Sequence, residues 1–231
     1  MDFEKVKQEF PVTRELIFFD HARVAPLPER VRQVVTAFVD DATRFGTAHY
    51  ESWIAGIEQS RKNFARLINA GTDEVAFVKN TSEGLSIVAN GLDWKSGDNV
   101  VIPDIEFPAN VYPWWNLKRL GVETRMVHAV EGRVLFDDLV KQVDARTKLI
   151  SISSVECNSG FRCDLNRIGE FCKEKGILFC VDAIQSLGIL PMDVKRDISI
   201  FSQPMGISGC SVSKGLVDFI FQKMCWKRCI R

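Results

Sequence analysis

Short apolar runs alternate with helix-like stretches over the first 200 residues of the chain. Apolar, β-branched runs predict buried strands at 75–78, 99–102, 124–127, 148–153 and 177–181. Stretches between these runs predict helices near 28–44, 51–69, 82–91, 109–120, 135–143 and 165–175. Residues 165–175, for example, place Leu165, Ile168 and Phe171 on one helical face.

Strands and helices in this order predict one α/β domain with a mostly parallel sheet and helices on both faces. Glycine or proline marks most joins between the predicted elements, as at Gly97, Pro103, Gly121 and Gly176. In such a sheet, ligands bind outside the carboxyl ends of the strands, where loops lead into helices. Functional residues are therefore expected directly after the strands.

The composition is that of a soluble globular protein. Of 231 residues, 46% are hydrophobic and 26% are charged, and 30 basic side chains balance 30 acidic ones. No net charge therefore favours nucleic acid or an anionic membrane as a partner. No apolar run approaches the roughly 20 residues of a membrane helix, and the charged N-terminus is unlike a secretory signal. Seven scattered cysteines indicate a reducing, cytoplasmic location.

The last 29 residues differ in composition from the rest of the chain. Residues 203–231 carry five basic side chains and one acidic side chain, whereas residues 1–202 carry 25 and 29. The same tail holds three of the seven cysteines. This change suggests a separate origin for the tail, although a solvated basic terminus has the same composition.

Two strand ends carry motifs that are open to two interpretations. Residues 80–84, Asn-Thr-Ser-Glu-Gly, begin a helix, where hydroxyls and free backbone N–H groups can bind an anion such as phosphate. Taken alone, the same pattern is more often an ordinary helix N-cap. Asp182 follows the apolar run 177–181, where an ionised carboxylate is costly unless a cation pairs with it. Capping of the next helix explains Asp182 equally well.

Aromatic, histidine, cysteine and glycine patterns narrow the possible chemistry. Phe107 follows the strand 99–102, where its ring can lie on a flat ligand, although packing in the core is commoner. The three histidines are too dispersed to pair, and the cysteines lack the C-x-x-C spacing of zinc sites. No G-x-G-x-x-G motif follows a strand, which argues against a nicotinamide-binding domain. We expect no metal site.

In combination, these motifs resemble the class V aminotransferase family of pyridoxal-phosphate (PLP) enzymes. This fold-type-I group includes cysteine desulfurases and isopenicillin-epimerase-like proteins. The segments that carry the resemblance occur in the family's order and are 18–28, 80–85, 88–95, 106–114 and 181–188. The resemblance implies an incomplete fold-type-I large domain, pyridoxal 5'-phosphate as cofactor, an amino acid substrate and a homodimer.

The resemblance also implies a role for individual residues. Thr81 and Ser82 match the turn that holds the cofactor's phosphate, and Phe107 matches the ring that stacks on the pyridine. Asp182 matches the acid that pairs with the pyridine nitrogen. Gln185 matches the side chain beside the ring's phenolic oxygen. A carboxylate at the ring nitrogen keeps that nitrogen protonated, so that the ring can accept electrons from a substrate carbanion.

One position breaks the resemblance. The family's lysine, which holds PLP covalently and moves a substrate proton, falls about 25 residues after the aspartate, at Ile207. Lys214 is nearest, but it lacks the His and Trp neighbours of the family motif. No catalytic residue is therefore predicted, and the chain is expected to be inactive as written.

The genetic code offers a reason for the missing lysine. Synonymous codons exist for residues 203–216 that, when read with each codon starting on the last base of the preceding one, encode Ala-Asp-Gly-His-Lys-Trp. We therefore expect the tail from about residue 203 to be out of frame. The domain prediction is residues 1–202 as an N-terminal segment plus a partial large domain, an aberrant tail at 203–231, and no small C-terminal domain.

Three functions remain open. The first is a PLP-dependent protein whose intact form acts on an amino acid by transaminase, desulfurase or epimerase chemistry. The second is a non-catalytic fragment with residual capacity for PLP binding or dimerisation. The third, a nicotinamide oxidoreductase, has the right sheet but lacks the glycine motif.

Overall fold

A seven-stranded sheet organises the part of the chain that the structure describes. This structure is a computed structural model, and it describes residues 3–20, 22, 24–197, 200–205 and 216–221. The strands are β1 (Val75–Val78), β2 (Asn99–Pro103), β3 (Glu123–Val127), β4 (Thr147–Ser153), β5 (Leu178–Asp182), β6 (Ile200–Met205) and β7 (Leu216–Phe221). Their order across the sheet is β1-β7-β6-β5-β4-β2-β3.

The centre of the sheet is parallel, as the sequence predicts. Strands β3, β2, β4, β5 and β6 pair in parallel, whereas β7 runs antiparallel to both β6 and β1. The five predicted strands are confirmed to within one residue at each end. Strand β7 lies within the segment expected to be out of frame, and its sequence, Leu-Val-Asp-Phe-Ile-Phe, has the apolar composition of a strand.

Helices precede and connect the strands. They are α1 (Phe3–Glu9), α2 (Glu29–Phe45), α3 (Tyr50–Leu67), α4 (Thr81–Gly91), α5 (Tyr112–Trp115), α6 (Phe136–Lys141), α7 (Leu165–Lys175) and α8 (Val194–Asp197). Short 3-10 turns cover Pro11–Arg14, Thr72–Glu74, Pro108–Asn110 and Asn116–Leu120.

The helix predicted near 109–120 is present as three short helical pieces rather than one. This segment forms a 3-10 turn, the single turn of α5 and a second 3-10 turn. Pro113 lies inside the predicted helix and lacks a backbone N–H, so a regular helix that begins at residue 109 cannot run through the segment. Gly121 ends it with a left-handed backbone (φ 75°). There an added Cβ would lie 2.5 Å from the Ser96 hydroxyl oxygen.

Two hydrophobic clusters cover the two faces of the sheet. Along β2, Val100 and Ile102 point into one cluster and Val101 into the other, because successive side chains of a strand face opposite ways. One cluster packs α4 and α5 on the sheet, and the other packs α3 and α7. Burial on both faces explains why the central strands read as continuous apolar runs.

Two residues of α4 offer a matched test of this packing. Leu85 is fully buried, whereas Ile87 is 41% exposed on the same helix. Leu85→Ala is expected to lower the free energy of unfolding by about 2–5 kcal/mol, because it removes buried methyl groups and leaves a cavity. Ile87→Ala should cost about 1 kcal/mol or less. Urea unfolding of both variants gives the comparison, and equal losses would contradict the assigned faces.

Candidate cofactor site

One cavity of about 620 Å³ opens where β1, β4 and β5 end, beside the loop that follows β2. It brings together all five residues singled out from the sequence: Thr81, Ser82, Phe107, Asp182 and Gln185. The remaining lining residues are Ala22, Val24, Asn80, Ala109, Ser153, Cys157, Asn158 and Ile184. The rule that ligands bind outside the strand ends therefore locates this cavity.

The turn at the start of α4 supplies one wall. Asn80 is the N-cap, since its side-chain oxygen accepts a hydrogen bond from the backbone N–H of Glu83 at 2.8 Å. The interpretation of this motif as an N-cap is thus correct for Asn80. Thr81 and Ser82, which follow the cap, line the cavity. First-turn N–H groups of a helix have no partner inside the helix, so this wall can donate hydrogen bonds to an anion.

Asp182 supplies the acidic wall. It is the last residue of β5, is 2% exposed, and its Oδ1 accepts a hydrogen bond from the Ile184 N–H at 3.0 Å. Burial raises the pKa of Asp182 to about 7, although the Ile184 N–H acts in the opposite direction. Residues 184–186 form a turn rather than a helix, so Asp182 caps a turn. A cation in the cavity would favour its ionised form.

Phe107 lies at the cavity and is 55% exposed. Packing in the core, the commoner role for an aromatic at this point, is therefore wrong for Phe107. It is correct for Trp114, which is fully buried and donates through Nε1 to the Asn110 side-chain oxygen at 3.0 Å. A half-exposed ring on a cavity wall is free to cover a flat ligand.

Gln185 connects the cavity to the N-terminal segment. Its Nε2 donates a hydrogen bond to the Ala22 backbone oxygen at 2.9 Å, across 163 residues of sequence. Ala22 and Val24 thereby form part of the cavity wall. The sequence identifies Gln185 as a site residue, but it contains no signal for this hydrogen bond.

The sequence analysis missed Ser153 and Asn158, which line the cavity at the end of β4 and in the segment that follows it. Ser153 ends β4, and Cys157 and Asn158 follow it in the cavity wall. Ser153 pairs with Asp182 in the register of β4 and β5. Applying the strand-end rule to β4 as well as to β1, β2 and β5 would have located this segment.

Two further acids are buried beside the cavity. Glu106 is 7% exposed, and its two carboxylate oxygens accept hydrogen bonds from the Ser153 N–H at 2.5 Å and from the Ser153 hydroxyl at 2.7 Å. Burial raises its pKa to about 7, and these hydrogen bonds act against the rise. Glu156 is 1% exposed, and neither of its carboxylate oxygens has a hydrogen-bond partner in the described part of the chain.

Some predicted positions cannot be placed. Ile207, the expected lysine position, and Lys214 both lie outside the described residues. Within the described ranges, no group of three or more His, Cys, Asp or Glu side chains is arranged to hold a metal ion. Within the same ranges, no helix has the length and apolarity needed to cross a membrane.

Comparisons with known proteins find a matching family model and several relatives. The family model described as Aminotransferase class-V matches residues 17–203. A probable cysteine desulfurase of Methanothermobacter thermautotrophicus is 34% identical over 217 residues, which cover 90% of this chain and 54% of that protein. A probable cysteine desulfurase of Pyrococcus abyssi is 33% identical, with coverages of 90% and 55%. The chain thus spans about half the length of these relatives.

A solved structure shows the same fold. The apo structure of a cysteine desulfurase from Thermococcus onnurineus NA1 superposes with a TM-score of 0.85 at 27% sequence identity. The superposition covers 97% of this chain and 58% of that one. The predicted fold class, a mostly parallel α/β sheet of the fold-type-I kind, is therefore confirmed.

Burial of Asp182 predicts a pH dependence of stability. A carboxyl whose folded-state pKa is raised from 3.8 to about 7 contributes stability that is complete below about pH 3.8 and is lost as pH rises to about 7. Asp182→Asn should lack this loss of unfolding free energy, which is at most about 1.4 kcal/mol per pH unit. The variant should therefore be more stable than wild type at pH 8. Urea unfolding from pH 4 to pH 8 measures both effects.

The control is Asp137→Asn, which removes the same charge from a side chain that is 81% exposed. Its stability curve should run parallel to that of the wild type. If Asp182→Asn also ran parallel to wild type over this pH range, the buried carboxyl would not titrate as described.

Proposed function

Because the chain belongs to the class-V aminotransferase family, we propose that its 620 Å³ cavity is a PLP site derived from an enzyme that acts on an amino acid. One observation carries the proposal. An acid, a hydroxyl-lined helix start and a half-exposed aromatic ring, identified separately in the sequence, line the same cavity. The volume lies within the roughly 300–1,000 Å³ of small-molecule sites.

The residues present fit the chemical groups of PLP. Thr81 and Ser82 would bind the phosphate through hydroxyls and backbone N–H groups at the start of α4, where the helix dipole also favours an anion. The Asp182 carboxylate, with one hydrogen bond from the Ile184 N–H, has accepting capacity left for a protonated ring nitrogen. Phe107 would cover one face of the ring. When bound, PLP supplies an electron sink for a substrate carbanion.

Gln185 and Cys157 would complete the site's edge. Gln185 donates one Nε2–H to the Ala22 carbonyl, so it would fix the N-terminal wall while its second Nε2–H remains available to donate to the phenolic oxygen of the ring. Cys157 is partly exposed in the cavity wall, and burial raises the pKa of its thiol. It would therefore contact the cofactor as a neutral thiol.

The chain as written lacks the group that completes the chemistry. Ile207 stands where the family places the lysine that holds PLP covalently, and an alkyl side chain neither forms that bond nor moves a substrate proton. The described walls of the cavity include no lysine. We therefore propose that this polypeptide binds PLP weakly and without a covalent bond, and that it has no turnover.

The segment from about residue 203 is proposed to be out of frame. The family match ends at residue 203, next to the change in charge and cysteine content. A one-base shift in this segment can encode His-Lys-Trp at the place where the family requires it. The nucleotide sequence decides the matter, because the proposal fails if no one-base shift restores the lysine.

For an in-frame protein we propose cytoplasmic PLP-dependent chemistry on an amino acid in a homodimer. Relatives named probable cysteine desulfurases favour cysteine as the substrate among the family's options. Support for a homodimer comes from α2, where Val34, Phe38 and Val39 are each about half exposed or more. The alternative, a non-catalytic fragment with residual binding or dimerisation, is favoured for the chain as written by Ile207.

Titration with PLP tests the site. The wild-type chain should bind PLP reversibly, and Asp182→Asn should weaken binding at least tenfold, because a charge-assisted contact of about 1.5–3 kcal/mol is lost. Asp137→Asn is the matched control and should bind as wild type does. Since Asp182→Asn is expected to be more stable at pH 8, weaker binding there would not reflect unfolding. Equal affinities in all three proteins would contradict the site.

Borohydride treatment tests the missing lysine. With the chain as written, PLP should wash off completely after reduction, whereas a gene with the one-base shift corrected should give a covalently labelled protein. Replacement of the restored lysine by alanine should abolish that label. Peptide mass spectrometry locates the label, and a borohydride-stable adduct on the chain as written would refute the proposed loss of the covalent bond.

A further inference from the structure

Glu156 is a buried acid that the proposed function does not use. It is 1% exposed and precedes Cys157, which lines the cavity. Its backbone is fixed from both sides, because its N–H donates to the Phe161 carbonyl at 2.9 Å and its carbonyl accepts from the Gly160 N–H at 2.8 Å. The carboxyl group is therefore held inside the protein by the fold of its own loop.

Within the described part of the chain, the neighbouring acidic side chains all accept hydrogen bonds from protein groups, unlike Glu156. Glu106 accepts two hydrogen bonds from Ser153, and Asp182 accepts one from the Ile184 N–H. Asp104 accepts from the Ala129 N–H at 2.9 Å and contacts His128 Nδ1 at 2.7 Å. Neither oxygen of Glu156 has a donor within the described ranges.

These acids repel one another in the ionised state. Burial is the main cause that raises the pKa of Glu156 to about 9, followed by the charges of Glu106, Asp182 and Asp104. The thiols of Cys157 and Cys163 lie close enough to be affected as well. Burial raises the pKa of each thiol, and the charges of Glu156 and Glu106 raise it further. Several buried carboxylates cannot all be charged together without a high electrostatic cost.

We propose that Glu156 is a positioning residue that retains a proton beside the cavity, so that Asp182 and Glu106 carry the negative charge. The carboxyl group with no hydrogen-bond donors takes the proton, and those with donors ionise. In relation to PLP this rests on the proposed function, since a neutral Glu156 leaves the ionised Asp182 as the partner of the ring nitrogen. For the ligand-free protein it stands by itself.

Stability as a function of pH tests, without any ligand, whether Glu156 retains its proton. Between about pH 4.5 and pH 9 the folded chain should hold one more proton at Glu156 than the unfolded chain does, so stability falls as pH rises through this range. Between pH 7.5 and 9, the unfolding equilibrium constant of wild type should rise up to tenfold per pH unit relative to that of Glu156→Gln. For Glu106→Gln, this divergence from wild type should end near pH 7.

Infrared spectroscopy tests the same proton directly. The full-length wild-type chain at pH 8 should show the carbonyl band of a buried protonated carboxylic acid, and Glu156→Gln should lack it. Glu106→Gln and Asp182→Asn should retain the band, which assigns it to Glu156 even if Glu156→Gln does not fold. Absence of the band from wild type, its presence in Glu156→Gln, or parallel stability curves would each overturn the proposal.

Addition of PLP separates the two proposals. If PLP binds, the band assigned to Glu156 should persist, because the proton remains there while Asp182 is ionised. Loss of that band on binding would overturn the positioning role. Failure of PLP to bind would contradict the proposed cofactor site and leave the ligand-free measurements to decide the role of Glu156.

Discussion

The candidate cofactor site depends on the buried carboxyl group of Asp182, which no cationic side chain neutralises within the described residues. Asp182 ends a central strand, is almost inaccessible to solvent, and has one backbone N–H bound to its carboxylate. A charge in this place is costly, so the group is either protonated or paired with a cation. The cavity in front of it is the space that such a cation would occupy. The same cost extends to Glu106 and Glu156 behind it.

Parallel pairing of the strands brings other side chains of the site next to Asp182. Strands β4 and β5 pair so that Ser153 lies opposite Asp182, and Ser153 in turn donates two hydrogen bonds to Glu106 in the loop after β2. Three segments far apart in sequence therefore meet at the carboxyl ends of the strands. The start of α4, which also lines the cavity, adds donors for an anion. The cavity wall thus includes both an acid and a donor-rich helix start.

The sequence predicted what depends on local pattern. Apolar runs predicted strands β1 to β5, and the family resemblance identified the five residues that the cavity brings together. Contacts between distant segments were not predictable, because no local pattern encodes them. Examples are the hydrogen bond from Gln185 to Ala22 and the lack of a hydrogen-bond partner for the Glu156 carboxyl group among the described residues. The helix predicted near 109–120 is divided because Pro113 lacks the backbone N–H that a continuous helix requires there.

Strand formation and catalysis differ in how much they depend on the reading frame of the tail. A strand needs only an apolar, β-prone run, and Leu-Val-Asp-Phe-Ile-Phe at 216–221 provides one as written, where it pairs with β1 and β6. Covalent catalysis needs a particular amine at a particular place, which we propose is occupied by Ile207 in the chain as written. Addition of a strand to the sheet is therefore no evidence that the frame is intact. A frame change can abolish the chemistry while the acid-lined cavity, built from residues before 203, keeps its shape.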